Sequence, residues 1–210
     1  MDKRIKKIFE DKNNVKRIQE KLPKLFYVAE LESSRAGKIG MEVGSLRERI
    51  LVALMLYKCG EENVISEIPI TNSEVDVIVF GNPISIKTIT GTNFSGVKLI
   101  WTVDADSALR FREKYHPSCD LLFVQINWSN GGGFYYIPKE VQIEVFNDIG
   151  KENYIKLPKA GTNPRGAEMS AIALRTLTNH EHSIKIPIEW KKEIIKFNSF
   201  DRWVELWQQD

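Results

Sequence analysis

Residues Glu74 to Lys87 read Glu-Val-Asp-Val-Ile-Val-Phe-Gly-Asn-Pro-Ile-Ser-Ile-Lys. Apolar and β-branched residues fill both halves, and Gly81-Asn82 lies between them as a tight hairpin turn with Pro83 just outside it. The outgoing strand carries Asp76 and the returning strand carries Lys87. On neighbouring antiparallel strands the two side chains can converge on one phosphate. A lysine on a central strand is costly to bury unless carboxylates partner it. The competing reading is an edge strand with a snorkelling lysine and solvated acids.

Around this hairpin, short β-branched runs alternate with turn residues. Residues 64–70, 74–80, 84–89 and 97–103 are expected strands, followed by a helix over 105–115 and a strand over 121–128. Gly131-Gly132-Gly133 is expected as a flexible turn before a strand over 134–137, and Pro138 opens a short helix. The loop 161–166 leads into a helix from Ala167 to about Leu177, and a Trp-rich helical tail closes the chain. Upstream, apolar residues at helical spacing predict an amphipathic helix that ends before Pro23. After the glycine-punctuated stretch 37–44, Ser45 is placed to cap a helix running to about Tyr57, with Glu48 closing a capping box. The predicted fold is α/β, a mixed central sheet flanked by helices. It forms one domain over 1–210: a helical front and loop at 1–44, a core at 45–137, and a loop, helices and tail at 138–210.

Composition narrows the function. Of 210 residues, 30 are Lys or Arg and 28 are Asp or Glu, a net charge of +2, which excludes a uniformly basic histone-like protein. The longest apolar run, Ile50 to Tyr57, is too short to span a bilayer, and the charged N-terminus lacks a signal core. Cys59 and Cys119 are isolated and make neither a metal cluster nor a disulfide framework. A cytoplasmic protein without a membrane partner is expected.

Glu48 lies on a helix that can pack against the hairpin and supply a second carboxylate. Two carboxylates suit Mg²⁺, a hard cation that takes oxygen ligands and keeps waters, while an ammonium can offset charge building on a phosphate. This order of helix glutamate, strand aspartate, hairpin and lysine resembles the PD-(D/E)XK nuclease superfamily, and within it the type II restriction endonucleases of the ThaI family. The likeness runs over essentially the whole chain. It includes Gly-Ser-Leu-Arg-Glu at 44–48, Glu-Val-Asp at 74–76 and Gly-Thr-Asn-Pro-Arg-Gly at 161–166. The resemblance implies a restriction-endonuclease-like core with Asp76 as metal-binding acid, Lys87 as catalytic lysine, Glu48 near or on the metal, and the Ile86 carbonyl as a further ligand.

The chain departs from the family pattern at two places. No proline precedes Asp76, and Ser85 stands where the family usually has Asp or Glu, which leaves one or two metal ions open. Glu10-Asp11-Lys12 and Glu189-Trp190-Lys191 also match the lysine motif literally, but neither follows an aspartate-bearing strand by a hairpin.

The resemblance further implies Mg²⁺-dependent in-line hydrolysis of double-stranded DNA. The expected site is a four-base palindrome of C and G, cut blunt to leave 5′-phosphate and 3′-hydroxyl ends. It also implies a homodimer matching the palindrome's symmetry and a companion DNA methyltransferase acting on the same site. Two alternatives stand beside it: a structure-specific nuclease of the same superfamily, such as a Holliday junction resolvase or a repair nuclease, and a non-catalytic DNA-binding module.

Three loops are candidates for reading DNA. Thr162, Asn163 and Arg165 precede a predicted helix start, where a phosphate, an adenine or a guanine could be met. Asn93 and Lys98 follow the lysine strand. Met41, between Gly40 and Gly44, is either a core residue or an apolar wedge for a base step from the minor groove. Arg35, Lys38 and Arg47 are nearby phosphate contacts. Trp190, Phe197, Trp203 and Trp207 read as a packing or dimer surface.

Overall fold

The computed structural model describes residues 2–35, 38–69, 74–101, 104–159 and 166–209. The chain begins with helices α1 (Lys3–Glu10) and α2 (Lys12–Glu32), strands β1 (Ser34–Arg35) and β2 (Lys38–Ile39), and helix α3 (Val43–Cys59). Strands β3 (Val64–Ile65), β4 (Val77–Val79), β5 (Asn82–Thr90) and β6 (Val97–Ile100) follow, then α4 (Ala105–Lys114). Next come β7 (Asp120–Ile126), β8 (Gly131–Ile137), α5 (Lys139–Ile149) and α6 (Lys151–Tyr154). The chain closes with β9 (Ile155–Lys156), β10 (Ala167–Met169), α7 (Ala171–Asn179), β11 (Ile184–Glu189) and α8 (Asp201–Trp207).

Six strands form the main sheet in the order β11-β8-β7-β5-β4-β3. Only β5 and β7 run parallel, with Lys87 opposite Phe123; the other neighbours are antiparallel. Strand β7 is buried along its whole length, which is why Leu-Leu-Phe-Val shows no polar alternation. On one face Ile84, Ile86, Leu122, Val124 and Phe134 pack with Phe9, Phe26, Leu51 and Met55 of α1, α2 and α3. On the other, Phe123, Tyr135 and Ile137 pack with Val145, Leu174 and Leu177 of α5 and α7. A second sheet, β6-β10-β9, stands beside the end of β5. The mixed α/β fold expected from the sequence is the fold observed. No helix among the described residues is long and apolar enough to cross a membrane.

Several local expectations are corrected. The hairpin joining β4 and β5 pairs Val79 with Asn82, so its turn residues are Phe80 and Gly81 rather than Gly81 and Asn82. Both have positive φ, 52° and 80°, the two-residue turn whose twist matches antiparallel strands. The front helix breaks at Asp11, whose side chain caps α2 by accepting from the Asn14 amide at 2.9 Å, and then continues through Pro23. A proline in a helix interior costs about 3 kcal/mol. Burial of Ile18, Leu22, Pro23 and Phe26 on the same helix offsets it. Helix α3 starts at Val43 with no side-chain cap, so the capping box at Ser45 does not form.

Gly131-Gly132-Gly133 is strand, not turn. A Cβ on Gly132 would lie 2.4 Å from the Gln125 carbonyl and 2.5 Å from the Trp190 indole nitrogen, so glycine here makes room for the neighbouring strand and for Trp190. Residues 167–169 are strand β10, and α7 starts only after Ser170, which caps it. In the expected helical tail, Ile-Lys-Ile-Pro-Ile-Glu alternates with period two and forms edge strand β11, where Pro187 is tolerated.

Candidate active site

Asp76 stands at the mouth of β4, where its amide still donates to the Ile84 carbonyl at 3.0 Å and the β4–β5 pairing ends. Its Oδ2 accepts from the Ile86 amide at 2.5 Å, the Lys87 ammonium at 3.2 Å and the Ser85 hydroxyl at 3.3 Å. Ser85 therefore holds the carboxylate in place as a donor. Asp76 and Lys87 are mostly covered, with side chains 17% and 19% exposed. This excludes the solvated-acid reading.

Glu48 projects from the second turn of α3 into the same space and lines one cleft with Asp76, Ile86 and Lys87. Burial, and then the charge of Asp76, push the Glu48 carboxyl above the usual carboxylate range, and Lys87 and Arg49 only partly counter this. Two carboxylates converging with one ammonium between them form a site that a divalent cation would relieve. Within a strand the N–H and C=O of one residue point to the same side. The Ile86 carbonyl therefore faces the side on which its amide meets Asp76. These donors, two carboxylates and a carbonyl, fit a hard cation. No group of three or more His, Cys, Asp or Glu suited to a metal occurs among the described residues.

The cleft, about 720 Å³, has a second wall built from the β6–β10 pair: Lys98, Trp101 and Glu168. Lys98 and Lys156 donate to Glu168 at 2.7 and 3.1 Å. Burial raises the Glu168 carboxyl, but these two ammonium groups outweigh it and hold it below its ordinary value. Trp101 is 71% exposed, with the Lys98 ammonium 5.4 Å from its ring centre. Sequence reasoning passed over Trp101 and Glu168. Their neighbours in the cleft are distant along the chain, and only Lys98 was singled out.

The other predicted residues fall as follows. Met41 is 94% exposed between β2 and α3, which removes its core reading. Lys38 is exposed on β2, and Arg35 lies opposite it in the β1–β2 register. Asn93 is exposed in the loop after β5. Lys98 faces the cleft but is paired with Glu168. Arg47 is a correction: its side chain is 7% exposed and bound to Glu30 at 2.6 Å, so it faces the interior and not a phosphate. Thr162, Asn163 and Arg165 lie outside the described residues. Trp190 is fully buried, whereas Trp203 and Trp207 are exposed.

A family model described as restriction endonuclease ThaI matches residues 8–209. A solved structure described as a restriction endonuclease in complex with substrate DNA is 57% identical to this chain, covering 97% of it and 98% of its own length, with a TM-score of 0.91. No curated protein matches.

Proposed function

The chain belongs to the ThaI restriction endonuclease family and is a type II restriction endonuclease, and from that premise we propose that Glu48, Asp76 and Lys87 form its catalytic centre, acting on double-stranded DNA at a short palindrome. The observation that carries this reading is the Asp76–Lys87 contact of 3.2 Å in a cleft shared with Glu48. Asp76, Glu48 and the Ile86 carbonyl would hold Mg²⁺. When bound, Mg²⁺ supplies Lewis-acid activation of water and neutralises phosphate charge. Lys87 directs its ammonium at the scissile phosphate, orienting the nucleophile in line and offsetting the charge that builds in the transition state. Asp76 keeps its orientation through the Ile86 amide and the Ser85 hydroxyl. Family membership supports divalent-metal use; Mg²⁺ itself is part of the proposal.

For recognition we infer that Met41 enters a base step, supported by its exposure on a glycine-flanked loop beside Lys38 and Arg35. Asn93 and Lys98 contact DNA from the rim nearest Lys87, and Thr162, Asn163 and Arg165 read the site from the loop before β10. A CG-only four-base target with blunt ends follows from the family resemblance. The solved relative's substrate DNA supports DNA as the partner here. A cytoplasmic homodimer with a companion methyltransferase on the same site completes the reading.

The test is digestion of linear phage DNA with Mg²⁺, beside an EDTA control and an Asp76→Ala protein. Discrete bands that vanish in both controls, with end-sequencing giving one palindrome, are the expected result. Cutting of branched junctions with linear duplex left intact would overturn the site-specific reading of this cleft.

A further inference from the structure

Glu30 and Arg47 form an ion pair inside the protein, beside the helix that carries Glu48, and the chemistry above does not use it. Glu30 lies in the last turns of α2 and Arg47 in the first turns of α3; their side chains are 3% and 7% exposed, and Arg47 Nη2 meets Glu30 Oε1 at 2.6 Å. Trp128 Nε1, just beyond β7, donates to the same oxygen at 2.7 Å. The Lys192 ammonium reaches Glu30 Oε2 at 2.8 Å. Arg47 Nη1 donates to Thr90 Oγ1, at the end of β5, at 3.1 Å.

Burying such a pair is a poor route to stability, because desolvation of two ions roughly cancels their attraction. Here compensation is also incomplete, since Arg47 Nε has no acceptor among the described residues. The pair's position suggests what it does instead. Arg47 precedes Glu48 directly, and Thr90 follows Lys87 by three residues on the same strand. The Arg47–Thr90 bond therefore ties the two elements that face each other across the site. Successive residues of a helix are about 100° apart around its axis. Any rotation of α3 that released Arg47 would carry Glu48 away from Asp76.

We propose that the Glu30–Arg47 pair is a positioning device that holds α3 at the rotation where Glu48 faces Asp76 and Lys87, and so sets the affinity of the site for its divalent cation. The proposal rests on reading Glu48 and Asp76 as cation ligands.

Two variants test it. Glu30→Met with Arg47→Met removes both charges at similar side-chain volume, and Thr90→Val cuts only the tie to β5. Thermal unfolding, Mn²⁺ affinity by electron paramagnetic resonance, and the Mg²⁺ dependence of cleavage at saturating DNA are measured on each. The double variant is expected to unfold at or above the wild-type temperature without metal. It should bind Mn²⁺ about tenfold more weakly and need correspondingly more Mg²⁺, the usual scale for groups that orient metal ligands. Thr90→Val is expected to weaken Mn²⁺ binding by about threefold with unchanged unfolding.

Wild-type Mn²⁺ affinity in both variants would overturn the proposal. So would a double variant whose unfolding temperature falls in step with its Mn²⁺ affinity, because the pair would then serve stability. Failure of the wild type to bind Mn²⁺ would also overturn it. A wild type that binds Mn²⁺ but cuts no DNA would sink the nuclease reading alone, while the Mn²⁺ comparison would still decide this one.

Discussion

At the residue scale, Glu48 is held in a position that costs stability. Its carboxyl is raised by burial and by the neighbouring Asp76 charge. Between the ordinary carboxyl pKa and this raised one, the folded chain binds more protons than the unfolded chain. Raising the pH through that window therefore destabilises the metal-free protein, and above it the cost is fully present. Glu48→Gln removes the charge, so in metal-free buffer at pH 7.5 it is expected to raise Tm by about 2 °C, the shift that goes with roughly 0.5–1 kcal/mol in a chain of this size. The same substitution is expected to abolish cleavage and to remove the Tm increase that Mg²⁺ gives the wild type. Scanning calorimetry of both proteins with and without Mg²⁺ checks this, and a lower metal-free Tm for Glu48→Gln would contradict the charge argument. Lys87 acts on the other side of the balance. Lys87→Ala is expected to lower the single-turnover cleavage rate by about 10³-fold, with metal-free DNA affinity changed by no more than about threefold.

Among the elements, the β4–β5 hairpin was legible because acid, turn and lysine lie within a dozen residues and their chemistry is local. Its register was not, because a bulky Phe80 at positive φ runs against residue preference. Stacking of the Arg4 guanidinium 4.3 Å from the Phe80 ring accompanies that strain. The interior role of Arg47 was hidden for a different reason: Glu30 and Thr90 lie 17 and 43 positions away, and only the fold joins them. The cleft's second wall was hidden in the same way, since the Lys98–Glu168 pair spans 70 positions.

That second wall depends on Gly166. Its φ is +99°, and a Cβ there would lie 1.8 Å from the Ile100 carbonyl and 2.9 Å from Trp101 Cα. Gly166→Ala must push β10 off β6, and is expected to cost at least about 2 kcal/mol in urea unfolding and to weaken DNA binding together with it. Met41 should separate those two effects. It is almost fully exposed, so Met41→Ala is expected to leave Tm within about 1 °C while weakening binding to the cognate site by about tenfold. Unchanged affinity by fluorescence anisotropy would remove the wedge.

Considered as a whole molecule, the chain leaves its C-terminal arm uncovered. Ile194, Phe200, Trp203, Val204, Leu206 and Trp207 are all at least half exposed, and α8 buries none of its residues. The arm is anchored where it leaves the sheet, by fully buried Trp190 and by Lys192 on Glu30. An apolar stretch of this kind is unusual on a monomer's surface. A palindromic substrate cut on both strands calls for two-fold symmetry, and the arm is the large apolar surface available to a second copy. Each tryptophan covers roughly 200 Å² when buried, worth about 5 kcal/mol gross at about 25 cal/mol per Å². Removing two from each protomer should therefore dominate the interface. The wild type is expected to sediment at twice its 24.2 kDa chain mass. Trp203→Ser with Trp207→Ser should sediment as a monomer at micromolar concentration while keeping its Tm, because neither ring packs on the core. On supercoiled plasmid the monomer should nick one strand and release open circles, where the dimer yields linear product directly. A double variant that still sediments as a dimer would move the interface elsewhere, and the apolar arm would need another partner.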